Sequence, residues 1–222
     1  MGAYRQKIVD RLFSGMLSAR LSELTQKPDP PFTLAFGGRG SFIGRTKDSA
    51  TFTALVKEDG VERGLDALLT EAERVGRFGF TATELERQKQ AALRNYERLA
   101  LEKENRQAGS RADEYVRNFL QDETLPSADD EYALHKRLLP EISLDEINKL
   151  AREWFPDSDR TVVVRAPEKS GLIIPDQSKL AAVIKNAAAK DLKPYVDTVA
   201  GAALIESPPT PGTVVKTSTK DA

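Results

Sequence analysis

Few side chains in this chain of 222 residues could carry zinc or acid–base chemistry. It has one histidine, His135, and no cysteine. A catalytic zinc ion needs three protein ligands and an open coordination position, and the ligands are usually His with Glu or Asp. His135 stands in Leu134-His135-Lys136-Arg137, outside any His-x-x-Glu-His pattern. We therefore predict a solvent-facing helix histidine, and we assign no catalytic, cofactor-binding or metal residue.

A second candidate for chemistry is a glutamate-rich helical stretch. Its acidic residues are Glu84, Glu86, Glu97, Glu102 and Glu104. Carboxylates paired in a dry cleft can transfer protons, which keeps open an independent acid–base enzyme as a minor hypothesis. Here Arg and Lys alternate with them at three- and four-residue steps, a pattern typical of a solvated face. A Ser-His-Asp triad would have to use His135, and no serine lies in a Gly-x-Ser-x-Gly context.

The third candidate is the glycine-rich run Gly37-Gly38-Arg39-Gly40. A phosphate-binding loop is followed by a helix N-terminus and usually by Lys-Ser or Lys-Thr. Here Ser41-Phe42-Ile43 follows, which favours a strand. We therefore interpret the glycines as a site of strand distortion or of close backbone packing.

Composition excludes several classes of function. The hydrophobic fraction is 40% and the charged fraction 30%, which is typical of a soluble globular protein. A net charge of −1 favours neither nucleic acid nor an anionic membrane as a partner. No apolar run approaches the ~20 residues that span a bilayer, and the N-terminus lacks the apolar core of a signal peptide. Without cysteine the chain has neither disulfides nor thiolate zinc sites.

The elements that would position such residues begin with an amphipathic helix over 4–26, ended by the prolines of 27–31. Alternating apolar residues over 32–36 and 50–56 predict a β-hairpin with a bulged, glycine-rich first strand. Five helices are predicted next, over 61–75, 83–103, 110–121, 129–139 and 143–155. Two of them begin at predicted capping boxes, Thr83–Glu86 and Ser143–Glu146.

The β-branched run Thr161–Val164 predicts a buried strand, and an alanine-rich helix is predicted over 178–190. Strands at both ends of a helical middle predict an α+β fold in which a sheet packs on helices. Three strands make a small sheet for so many helices, so we expect further strands before Tyr4, outside this sequence. The Pro-rich residues 207–222 have linker composition, which suggests a fragment of a longer protein.

Several segments resemble one family. Phe13–Leu24, FSGMLSARLSEL, is similar to the GG-x-SSRL segment in non-catalytic domains of pitrilysin/insulinase-type zinc peptidases. Gly79–Asn105 resembles the long helix of those domains. Glu131–Phe155 followed by Arg160–Pro167 resembles their closing helices and last strand. Leu192–Val214 resembles the linker between the two halves of large bacterial members.

The resemblance implies an α+β metallohydrolase-type domain, repeated in pairs or fours around a closed chamber. In the first domain of such enzymes two His and a downstream Glu bind zinc, and the motif Glu acts as a base. The helix that would carry this motif here has Arg11-Leu12-Phe13-Ser14-Gly15, without His or Glu. The chain is therefore identified as resembling the second, non-catalytic domain of the first half, and zinc is implied only for the full-length enzyme.

The resemblance also divides the chain. Residues 1–167 form the non-catalytic domain, 168–206 a helical extension after the last strand, and 207–222 the Pro-rich interdomain linker. The implied partners are the zinc-bearing domain of the same polypeptide and a peptide substrate, and the implied compartment is the periplasm. An unpaired sheet edge would favour some self-association of the fragment. The alternative hypothesis is an inactive scaffold domain of the same fold in a larger assembly.

Overall fold

The computed structural model describes residues 2–41, 48–155 and 159–198, and seven isolated positions after residue 206. Seven α-helices and two strands run through them: α1 Gly2–Thr25, β1 Leu34–Ser41, β2 Asp48–Leu55, α2 Val61–Phe78, α3 Ala82–Leu101, α4 Ala108–Gln121, α5 Ala128–Leu138, α6 Leu144–Trp154 and α7 Gln177–Ala189. Short 3₁₀ turns follow α3 at Lys103–Asn105 and α5 at Leu139–Glu141. The predicted order of hairpin and helices is thus confirmed up to Trp154.

Helix α1 is the centre of the core. Its buried apolar residues recur at three- and four-residue steps, as an amphipathic helix requires: Ile8, Leu12, Phe13, Met16, Leu17 and Leu21. The ring of Phe13 lies 4.1 Å from that of Trp154 and 5.2 Å from that of Phe80. These contacts join α1 to the end of α6 and to the turn before α3, so Trp154 anchors its helix in the core.

The β-hairpin packs directly on α1. Its antiparallel register is uninterrupted from Leu34 opposite Leu55 to Ser41 opposite Asp48, so the predicted bulge is wrong. Close packing explains the glycines instead, because a Cβ on Gly37 would lie 2.8 Å from Cδ2 of Leu17. Ser18 strengthens this contact by donating a hydrogen bond of 3.2 Å to the Gly37 carbonyl.

Helix caps correct one predicted boundary and confirm another. Helix α3 is capped by Thr81 rather than Thr83, since the Thr81 side chain accepts from the Glu84 amide and the Glu84 carboxylate accepts from the Thr81 amide. Ser143 caps α6 as predicted, by accepting from the Glu146 amide. The Glu146 carboxylate does not complete that box, because it binds the Arg5 guanidinium of α1.

The buried strand predicted at Thr161–Val164 is wrong. These residues have no regular secondary structure, and Val163 is 71% exposed. A β-branched run favours an extended chain, but a strand also needs a neighbour, and no other strand among the described residues pairs with it. The α+β class is confirmed, with a two-stranded sheet among those residues and helices over one of its faces.

Candidate peptide-binding surface

The outward face of the hairpin is apolar and open. Alternation along β1 turns Ala35 and Gly37 toward α1 and leaves Leu34 and Phe36 outside. Leu55, opposite Leu34 in the register, is 63% exposed. Phe36 is 49% exposed and lies opposite Thr53. These side chains form an exposed apolar strip, which we call the hairpin face.

Within the described part of the chain, each hairpin strand has one neighbour, so each also has an open edge. Unpaired amide and carbonyl groups on an open edge can bind an extended peptide by strand addition. Side chains of such a peptide would alternate, and every second one would lie over the hairpin face. The arrangement can therefore hold an extended peptide.

A buried ion cluster is centred on Arg20 of α1. Arg20 Nε donates to Glu84 Oε1 over 2.6 Å, Nη2 donates to Glu84 Oε2 over 2.9 Å, and Nη1 donates to Glu71 Oε1 over 3.1 Å. Nη2 also donates to the Gly79 carbonyl at 3.0 Å. Glu84 belongs to the stretch predicted as a solvated face, and for this residue the prediction is wrong because it is buried.

The cluster explains how three charges remain inside. Burial by itself lowers the pKa of Arg20, but the hydrogen bonds and charges of Glu84 and Glu71 outweigh it and raise that pKa. Arg20 thereby ties α1 to α2 and α3. A signal for it exists in the sequence: Arg20 occupies a core-facing position between Leu17 and Leu24. A charge on an apolar stripe requires a buried partner.

The prediction that His135 faces solvent is wrong, because its side chain is buried. Its ring stacks on that of Tyr96 with centroids 3.5 Å apart, and it meets Tyr4 edge-on at 5.8 Å. Its Nδ1 donates to the Glu131 carbonyl over 2.7 Å. Arg11 binds the Tyr96 hydroxyl above the stack. The histidine therefore fastens α5 to α1 and α3.

Burial lowers the pKa of His135, the hydrogen bond to the Glu131 carbonyl raises it, and the nearby charge of Arg11 lowers it further. Burial also raises the pKa of Tyr96, and burial together with Glu131 raises that of Tyr4. The histidine is thus kept neutral inside an aromatic stack. The nearby carboxylate of Glu131 accepts a hydrogen bond from the Tyr4 hydroxyl at 3.3 Å.

Across the described residues, no three His, Cys, Asp or Glu side chains come together as a metal site. Among the described helices, none combines the length and the apolarity that a bilayer span requires. With a single histidine in the whole sequence, this chain cannot form a centre with two histidine ligands. The residues that the structure describes therefore do not fit such a zinc centre.

Solved structures define the class of the fold. The chain superposes on the first half of the periplasmic protease PqqL from Escherichia coli with a TM-score of 0.70 and 17% identity, over 88% of this chain and 42% of that one. A predicted insulinase family protease from Yersinia pestis gives a TM-score of 0.69 and 12% identity, over 84% and 40% of the two chains. The chain thus shares the fold of a part of each of these two proteases.

A relative in sequence agrees with this structural similarity. A zinc protease PQQL-like protein of Arabidopsis thaliana is 22% identical over 211 residues, covering 95% of this chain and 19% of the relative. No family profile matches the chain. The chain thus spans about a fifth of the curated relative and less than half of the PqqL half it resembles. These identities support the predicted resemblance and show the fold.

Proposed function

We propose that this chain is a non-catalytic domain of a zinc-dependent peptidase of the pitrilysin/insulinase type. In that role it packs against a zinc-bearing domain of the same polypeptide and forms part of the wall around a peptide substrate. The chain helps to enclose the peptide, and the zinc-bearing domain carries out the metal chemistry. The proposal rests on the likeness to one part of the PqqL first half, together with the chemistry of His135.

The state of His135 is the single observation that carries the non-catalytic assignment. The only histidine is 1% exposed, its Nδ1 is used by the Glu131 carbonyl, and its ring is stacked on Tyr96. On α1, the helix that the resemblance would give the zinc motif, Phe13 is completely buried in aromatic contacts. Core packing of Phe13 supports a structural role for the stretch that would carry the motif.

The hairpin supports the substrate-enclosing part of the proposal. Among the described residues, it combines open strand edges with an apolar strip made by Leu34, Phe36 and Leu55. A chamber wall of this kind binds peptides through backbone hydrogen bonds, which are insensitive to sequence, and adds a preference for apolar side chains. We further propose a periplasmic location, because the PqqL proteins that share the fold are described as periplasmic proteases.

The proposal is tested by titrating the purified, metal-free chain with zinc in a calorimeter and assaying peptide cleavage with and without a chelator. We expect only weak surface binding of zinc and no chelator-sensitive cleavage. A His135→Gln variant is the matched control, since a true site at this histidine would lose its metal in the variant. One tight equivalent of zinc that disappears in the variant would refute the non-catalytic assignment.

Periplasmic location is tested separately, by fractionating cells that express the complete parent protein. We expect the protein in the periplasmic fraction together with a resident marker enzyme of that compartment. Recovery in the cytoplasmic fraction would remove the location from the proposal without affecting the assignment of the domain.

A further inference from the structure

Residues 188–198, which we call the anchor segment, begin with the last two residues of α7, leave the helix at the extended Lys190 and continue across α2 and α3. Two arginines of α2 bind its backbone. Arg77 donates to the carbonyls of Lys190 at 2.7 Å and Ala188 at 2.5 Å, and Arg74 donates to the carbonyl of Lys193. Carbonyls held by guanidinium groups fix the path of a chain without regard to its side chains.

Three side chains of the anchor segment give these contacts a sequence preference. Lys190 Nζ lies 2.6 Å from both oxygens of Asp66 and 2.9 Å from the Thr70 hydroxyl. Asp197 Oδ2 accepts from Thr83 and Arg87 at 2.7 Å each. The Asp197 side chain is 4% exposed, so the carboxylate of this ion pair is buried.

The third side chain, Tyr195, covers the buried ion cluster. Its hydroxyl donates to both carboxylate oxygens of Glu23, at 2.8 and 2.9 Å. Its ring lies against the Arg20 guanidinium, 4.2 Å from Cζ to the ring centroid, while Phe80 lies 4.8 Å from the same carbon. Tyrosine thus supplies both a cation–π contact and a hydrogen bond, a pairing that favours a desolvated site.

We propose that the surface formed by α1, α2 and α3 is a peptide-docking groove that recognises Lys-x-x-x-x-Tyr-x-Asp in an extended chain, and that its occupant is the anchor segment of the same molecule. The groove reads one cation at Asp66, one aromatic hydroxyl at Glu23 and one carboxylate at Arg87. Between these points it binds only backbone. Docking fixes Thr198 beside the first turn of α3, so the chain after it departs from a defined point.

A displaced anchor segment tests this proposal directly. The double variant Tyr195→Ser, Asp197→Asn removes two of the three recognition points while leaving the groove intact. A fluorescent peptide of residues 188–198 should then bind this full-length variant at least tenfold more tightly than it binds the wild type, whose groove is occupied. The same peptide carrying the two substitutions is the control and should not bind. Equal binding of both peptides would overturn the proposal.

A second measurement does not depend on the double variant being stable. Arg87→Gln leaves the anchor segment unchanged and removes a partly exposed partner of Asp197. We expect chymotrypsin to cut after Tyr195 roughly five- to tenfold faster in this variant. Asp191→Asn, an exposed change on the same segment, should leave the rate unchanged. Cleavage at Phe13, which is completely buried in the core, reports general loosening. An unchanged rate at Tyr195 in Arg87→Gln would refute the docking groove.

Discussion

Acidification between pH 7.5 and 5.5 should destabilise this domain through one residue, His135. Burial in the aromatic stack lowers the pKa of its imidazole in the folded state. The unfolded chain has an ordinary imidazole, with a pKa of about 6.5. Below that pH the unfolded state binds a proton that the folded state rejects, so stability falls as the pH falls, until the depressed folded pKa is reached.

The size of the effect follows from the same linkage. The free energy of unfolding decreases by at most about 1.4 kcal/mol between pH 7.5 and 5.5, the limit set by one imidazole that titrates only in the unfolded chain. For a domain of this size that loss lowers the midpoint of thermal unfolding by about 3–5 °C. Arg11, whose charge also lowers the pKa of His135, opposes protonation from α1, while the Glu131 carbonyl favours it from α5.

Urea unfolding at several pH values measures this dependence, because ordinary carboxyl groups titrate below the chosen window. Having only one histidine, the chain allows a clean control. A His135→Gln variant should be less stable at pH 7.5 yet lose almost nothing further on going to pH 5.5. If wild type and variant had the same slope of stability against pH, the neutral, buried imidazole described above would be refuted.

Three further predictions concern the core and the hairpin. Arg20→Leu leaves Glu71 and Glu84 buried without their shared cation, and should lower the free energy of unfolding by about 3–5 kcal/mol in urea titrations. Gly37→Val forces a side chain against Leu17 and should cost about 1–3 kcal/mol by the same assay, whereas the open Gly40 should tolerate valine better. Sedimentation velocity should reveal concentration-dependent self-association that weakens in Phe36→Lys, and a strictly monomeric profile would contradict it.

Much of the fold follows from local patterns in the sequence. The stripe of α1, the prolines after it and the alternation of the hairpin residues each express one physical rule, so their positions could be predicted to within a few residues. The cap of α3 does not follow from local patterns, because Thr81 and Thr83 both lie three residues before a glutamate. Only the surrounding geometry selects Thr81, through the carboxylate of Glu84 that also serves Arg20.

The errors share a different physical cause. His135 and Glu84 were predicted on solvated faces, because charged or polar neighbours surround them in sequence. Both are buried by residues distant in the chain, Tyr96 in one case and Arg20 in the other. Thr161–Val164 fails for the converse reason, since β-branched residues favour extension but cannot supply a partner strand. Local sequence at these sites indicates a preferred backbone conformation, whereas burial and strand pairing depend on long-range contacts.

The same distinction explains why the anchor segment has no signature in the sequence. Lys190, Tyr195 and Asp197 belong to a polar stretch with linker-like composition. No neighbouring residue in the sequence indicates that Tyr195 packs against the rest of the domain. Their partners come from three helices that only the fold brings together, and one of them is the buried Arg20. Arg20 therefore has two roles that should be separable by mutation. Arg20→Lys keeps the charge for Glu84 but loses the planar stack with Tyr195, and should release the anchor segment more than it lowers stability.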